Sequence, residues 1–182
     1  MRLFVAIELN DDSREKIAEI EKNIRDTGAD VKLVEPENIH VTLKFLGEVS
    51  EERVREVQEG ISKSIEGITE FRFYIGGFGC FGSPKYLRTL WFGVKEGEEK
   101  ILEIMNKLNE NLHQIRDEKR KPAVHITVGR VKSAKKRDVL LKEIERLKDV
   151  KIGEVYVKEI KLKSSVLTEK GPVYSDVDVF KI

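Results

Sequence analysis

Cysteine is nearly absent from this chain. Cys80 is the only one in 182 residues, so no intrachain disulfide can form and nothing points to an oxidising compartment. Within Gly79-Cys80-Phe81 it reads as a small buried hydrophobe. An excess of either charge is missing too: 34 Lys and Arg face 33 Asp and Glu, a net charge of +1. That balance excludes a protein gripping nucleic acid through bulk positive charge. It leaves room for a small or terminal nucleic-acid ligand held by a few local cations. No hydrophobic run reaches membrane length. The opening run, Arg2 to Leu9, is too short to span a bilayer and carries no small-residue cleavage site, so the cytoplasm is expected and a membrane partner is not. Low-complexity stretches and linkers rich in Pro, Gly or Ser are also lacking. One domain over residues 1–182 is expected, with its lobes interleaved rather than strung.

What is present is a 40% hydrophobic share, enough for a core, patterned into alternating elements. The pattern predicts a strand over 2–9, then a helix capped by Asp12 or Ser13, carrying Ile17, Ile20 and Ile24 and ended by Gly28. A short strand over 31–34 and a longer one over 39–46 flank Pro36. Ser50-Glu51-Glu52-Arg53 opens a helix through Val54, Val57, Ile61 and Ile65. Strands over 70–81 and 86–94 meet at a Gly82-Ser83-Pro84-Lys85 turn, and a helix over 98–116 follows. The rest reads as a strand over 123–130, a helix over 135–148 through Val139, Leu140, Ile144 and Leu147, and strands over 152–166 and 173–181 joined by 168–172. This is not a clean βαβ alternation, so α+β is the expected class.

Histidine is scarce as well, and two of the three occurrences share a pattern. His40-Val41-Thr42-Leu43 and His125-Ile126-Thr127-Val128 are both His-apolar-Thr-apolar, 85 residues apart, and each precedes a helix. Strand alternation puts His40 and Thr42 on one face, with Ile39, Val41, Leu43 and Phe45 anchoring the other. His125 and Thr127 repeat the arrangement. If the two strands are neighbours across a pseudo-twofold axis, two histidines and two threonines line one groove. Opening a cyclic phosphodiester needs a base for water and an acid for the leaving oxygen, and imidazole serves either role near neutral pH. Threonine hydroxyls can donate to the phosphate oxygens as charge builds. A zinc site would want three or four ligands, but there is no HExxH and no cysteine pair, so no metal and no cofactor are expected. His113, late in a helix and without matching neighbours, reads as a helix-end residue.

These motifs resemble those of the two-histidine phosphoesterase superfamily. More narrowly, the chain is similar to the RNA 2′,3′-cyclic phosphodiesterases, also called 2′–5′ RNA ligases. The blocks that carry the likeness are Arg2–Ile7, Glu37–Glu48, Pro122–Lys132, and Lys163–Leu167 with Gly171–Tyr174. The resemblance implies a bilobal α+β fold: two pseudo-symmetric lobes of antiparallel sheet, helices outside, and a central cleft. It implies hydrolysis of RNA 2′,3′-cyclic phosphate ends to 2′-phosphate, with reversible 2′–5′ ligation. RNA such as tRNA fragments is the expected partner, and a monomer is the expected state. It assigns His40 the acid role and His125 the base role, with Thr42 and Thr127 on the phosphate.

Several residues are secondary candidates for RNA contact. Arg130 falls five residues after His125, where strict alternation points it to the apolar face unless it lies past the strand end or snorkels out. Lys44 shares a face with His40 and Thr42 on the same rule. Tyr86 and Trp91 could stack on a base, with core packing favoured for Trp91. Basic runs at 119–121, at Lys132 and at 135–137 flank the second motif, either as solvated faces or as an RNA guide. A non-catalytic RNA-end binder and a phosphodiesterase acting on small cyclic nucleotides are the alternatives the residues leave open.

Overall fold

The computed structural model describes residues 1–169 and 171–182. The described chain runs β1 (Arg2–Glu8), α1 (Asp11–Asp26), β2 (Val31–Leu33), β3 (His40–Glu48), α2 (Val54–Ile65), β4 (Phe71–Ser83), β5 (Tyr86–Glu96), α3 (Glu98–Asn111), β6 (Ile126–Val131), α4 (Arg137–Leu147), β7 (Lys151–Val157), β8 (Glu159–Thr168) and β9 (Gly171–Lys181). Two antiparallel sheets result, in strand orders β3-β1-β8-β9 and β2-β6-β5-β4-β7. The α+β, two-lobed expectation holds.

Each helix forms where the apolar residues recur at helical spacing, and each buries that stripe. Ile17, Ile20 and Ile24 of α1 are buried, as are Val57 and Ile61 of α2 and Ile101, Ile104 and Leu108 of α3. The helices α1 and α4 pack on the five-stranded sheet, while α2 and α3 pair with each other on the four-stranded one. Both α1 and α3 thus leave the sheet that precedes them and cover the opposite one, which interleaves the lobes. Within α2, Gly60 allows a close approach: a Cβ there would lie 2.4 Å from Leu112 Cδ2.

Several local expectations are corrected. Asn10, not Asp12 or Ser13, caps α1 by accepting from the Ser13 amide at 3.1 Å. Ser50 makes no side-chain cap; a single 3-10 turn, Glu51–Arg53, precedes α2. The third helix stops at Asn111, whose side chain donates back to the Lys107 carbonyl and to Ser64. In α4, Val139 is exposed, because it lies a helical step away from the Leu140–Leu147 stripe. The predicted strand over 152–166 is two strands in different sheets, broken at Lys158. Its apolar phase changes there, from Val155 and Val157 to Ile160 and Leu162, so the inward face switches as the chain crosses between sheets. At the final turn Thr168 pairs with Gly171, and Lys170 lies outside the described residues.

Both motif strands carry a β-bulge directly after the threonine. In β3, Thr42 pairs with Ala6 and Lys44 with Val5, so Leu43 is the extra residue. In β6, Thr127 pairs with Trp91 and Gly129 with Leu90, so Val128 is the extra residue. The repeat therefore extends from sequence into backbone geometry.

Candidate active site

The two motif strands approach each other where the sheets meet. Between them lies a cavity of about 960 Å³ whose wall includes His40, Thr42, His125 and Thr127. His40 opens β3. Its Nδ1 donates to the Asn38 carbonyl at 2.7 Å, and a carbonyl can only accept, so that nitrogen carries the hydrogen. Nε2 is therefore the titrating nitrogen, and it faces the Thr42 hydroxyl at 2.9 Å. Phe4 stacks on the imidazole with ring centroids 5.0 Å apart, and Tyr174 meets it edge-on at 5.5 Å. Burial pushes the His40 pKa below the ordinary 6.5. The Asn38 carbonyl opposes this, Lys163 reinforces it, and Glu8 acts upward.

Behind His40, Glu8 and Asp176 share the ammonium groups of Lys161 and Lys163. Lys163 reaches Asp176 at 2.6 Å and Lys161 reaches it at 2.7 Å. Glu8 pairs directly with His40 across β1 and β3, so this ionic quartet borders the ring. Despite partial burial acting upward, the lysines hold the Glu8 and Asp176 carboxyls below their usual range.

His125 sits one residue before β6, not within a strand over 123–130. Phe81 meets its ring edge-on at 5.0 Å, and Phe81 in turn packs on Trp91 at 5.4 Å. Burial lowers the His125 pKa too, against a smaller upward effect of the Ala123 carbonyl. That carbonyl lies outside hydrogen-bonding geometry, and among the described residues Nδ1 is buried without a partner. The two rings thus share an aromatic edge contact and differ in their charged surroundings.

The bulges decide where the secondary candidates point. After each bulge the alternation inverts, so Arg130 pairs with Thr89 and Phe45 with Phe4, both on the motif face. Arg130 lines the cavity without lying past the strand end and without snorkelling. Phe45, expected to anchor the core, is instead 60% exposed on the cavity wall. Lys44 is turned the other way: it is 5% exposed, opposite core-facing Val5, with Nζ on Asn109 Oδ1 at 2.7 Å. It touches the cavity from behind β3 and does not share the His40 face. Tyr86 is 72% exposed on the cavity rim at the β4–β5 turn. Trp91 lies outside this cavity. It packs over Gly79, where a Cβ would come within 2.5 Å of the indole, so packing is its role. His113 is exposed at the end of α3, with Nδ1 on the Glu110 carbonyl.

Sequence reasoning missed Phe45, Phe81, Tyr174 and Arg88, all of which line the cavity. Eight lining residues are cationic and one, Glu118, is acidic, so the neutral whole hides a basic cleft. The basic runs around the second motif gave the one available signal, and Arg120, Lys121, Lys132 and Arg137 do reach the wall. Among the described residues no group of three or more His, Cys, Asp or Glu is placed to hold a metal.

Comparison with known proteins supplies the family. The family model described as LigT-like phosphoesterase matches twice, over residues 7–91 and 92–174, one copy per motif. The RNA 2′,3′-cyclic phosphodiesterase of Archaeoglobus fulgidus is 39% identical over all of both chains. The protein of that name from Methanothermobacter thermautotrophicus is 36% identical over 100% of this chain and 99% of its own. A Thermus thermophilus protein of known crystal structure superposes with a TM-score of 0.79 at 26% identity, covering 100% of this chain and 97% of that one. The chain belongs to the LigT-like phosphoesterase family.

Proposed function

We propose that this protein hydrolyses the 2′,3′-cyclic phosphate at RNA ends to a 2′-phosphate by acid–base catalysis with no metal. The carrying observation is that both His-Thr pairs stand on the wall of one cavity. The names of the full-length relatives point to the same substrate. In the reaction, His125 takes a proton from water as its oxygen attacks phosphorus. The bond from phosphorus to the ribose 3′ oxygen breaks, and His40 delivers a proton to that oxygen from Nε2. A 2′-phosphate and a free 3′ hydroxyl leave, and solvent exchange resets both rings. Thr42 and Thr127 donate to the non-bridging oxygens, and Arg130 adds a fixed charge beside them. The direction of proton flow follows the family likeness. With the 5′ hydroxyl of a second RNA end in place of water, its oxygen bonds to phosphorus, its proton goes to His125, and the same cleavage of the 3′ oxygen bond joins the ends through a 2′–5′ linkage; tRNA fragments are one source of such ends.

The test is product analysis on an oligonucleotide ending in a 2′,3′-cyclic phosphate, with excess EDTA. A 2′-phosphate product, and loss of turnover by at least about 10³-fold in both His40→Ala and His125→Ala, is expected. Binding without turnover would instead identify an RNA-end binding module. Activity that disappears with the chelator would end the metal-free mechanism.

A further inference from the structure

Glu8 closes β1 directly opposite His40, the first residue of β3. Strand alternation puts it on the face of Ala6 and Phe4, and β8 sets Lys161 opposite Ala6 and Lys163 opposite Phe4. The quartet closes on itself: each oxygen of Glu8 and of Asp176 accepts one hydrogen bond, and each lysine donates to both acids. It has no net charge, and Lys163 within it is 8% exposed. Ion pairs withdrawn from water gain little over apolar packing, so stability alone does not account for four charges on this face. Phe4, buried, lies opposite Lys163 and stacks on His40, so little water stands between ammonium and imidazole to screen the field. At His125 the causes acting on the ring are burial and the Ala123 carbonyl, with no charged group among them. The pseudo-symmetric cleft is thus asymmetric in charge behind its two histidines.

We propose that Glu8 and Lys163 are positioning residues of opposite sign for His40, and that this pair separates the roles of the two histidines. This rests on the reading of His40 as the group that protonates the leaving 3′ oxygen. The Lys163 cation disfavours the imidazolium, which makes Nε2 a readier proton donor. The Glu8 carboxylate favours the imidazolium and keeps that nitrogen loaded between turnovers. The other ionisable groups around the ring are Lys161 and Asp176 of the quartet, Tyr174 edge-on from β9, Arg14 of α1, and His125 across the cavity. Of these Arg14 acts on His40 in the same sense as Lys163.

The test is a proton NMR titration of the His40 ring, assigned by the signal lost in His40→Asn, beside a pH–rate profile on a cyclic-phosphate dinucleotide. Lys163→Met should raise the midpoint of the ring and Glu8→Gln should lower it, each by at least about 0.5 pH unit. The double variant is neutral again and should return to within about 0.2 pH unit of the parent, where Lys163→Arg also stays. The same displacements should appear in one limb of the rate profile while the other limb holds its place. A merely structural role leaves the midpoint where it is or moves it the same way in both single variants; either result overturns the pairing. If Lys163→Met does not fold, Glu8→Gln, on the more exposed side chain, decides alone: a midpoint that stays or rises overturns it. Ring midpoints that move while both limbs stay would overturn the catalytic role of the pair. A parent protein that hydrolyses no cyclic phosphate would remove the esterase reading, and the ring titration would still decide whether the pair acts on His40.

Discussion

His40 offers Nε2 to the cleft because the Asn38 carbonyl occupies Nδ1, so a backbone atom selects the nitrogen that titrates. Both histidines are pushed below 6.5, mainly by burial. The proposed mechanism needs one protonated and one neutral, so kcat/KM should trace a bell with its maximum on the acid side of pH 6.5. A pH–rate profile on a cyclic-phosphate dinucleotide measures this; a flat profile from pH 5 to 8.5 would remove the two-histidine mechanism. A different titration affects stability. Glu21 in α1 is fully buried, neither carboxylate oxygen has a hydrogen-bond partner among the described residues, and the Arg25 guanidinium is 3.9 Å away. Burial pushes its pKa from 4.5 to about 7. The folded state therefore holds a proton that the unfolded chain releases, and stability falls as pH rises from 4.5 through 7, by up to about 3 kcal/mol. Glu21→Gln should unfold at higher temperature than the parent at pH 8 and match it near pH 4.5. The histidine motif was legible residue by residue, whereas Glu21 looked like any polar helix position, because burial is a property of neighbours.

Among elements, the helices were the most legible, since a 3.6-residue apolar period has one structural solution. Strand ends and bulges were not. A bulge is a mismatch between two paired strands, so β3 and β6 alone could not reveal that Phe45 and Arg130 turn into the cleft and Lys44 away. The break at Lys158 did leave a trace in the phase change from Val157 to Ile160, which strand alternation could have exposed. The start of α3 depends on backbone that no side-chain pattern encodes. Gly97 adopts φ +80°, and a Cβ there would lie 2.2 Å from the Arg72 carbonyl oxygen, a main-chain atom of β4. Gly97→Ala should cost about 2–4 kcal/mol from left-handed strain and the clash together. A urea melt would register this as a lower midpoint; an unchanged midpoint would show that the β5–α3 junction yields.

For the whole molecule, composition gave a net charge of +1 and excluded a bulk basic surface, yet the cavity wall carries eight cations and one acid. The carboxylates are spread over the outer helix faces, paired with lysines and arginines as in Arg53–Glu56 and Arg146–Glu143. The proposed RNA substrate should therefore show KM rising steeply with salt for an oligonucleotide and only weakly for a mononucleoside cyclic phosphate. Titrating sodium chloride against both substrates gives the two slopes. Equal slopes would confine recognition to the terminal nucleotide.

Sequence by itself determined the α+β class, the helix faces and the paired His-apolar-Thr-apolar motif, because side-chain type and period act within a few residues of chain. Tertiary structure alone decided that the two motifs share a cavity, that a bulge aims Phe45 and Arg130 into it, and that a neutral protein encloses a basic cleft. Those outcomes depend on strand pairing and lobe exchange between residues far apart in sequence, which local pattern does not encode.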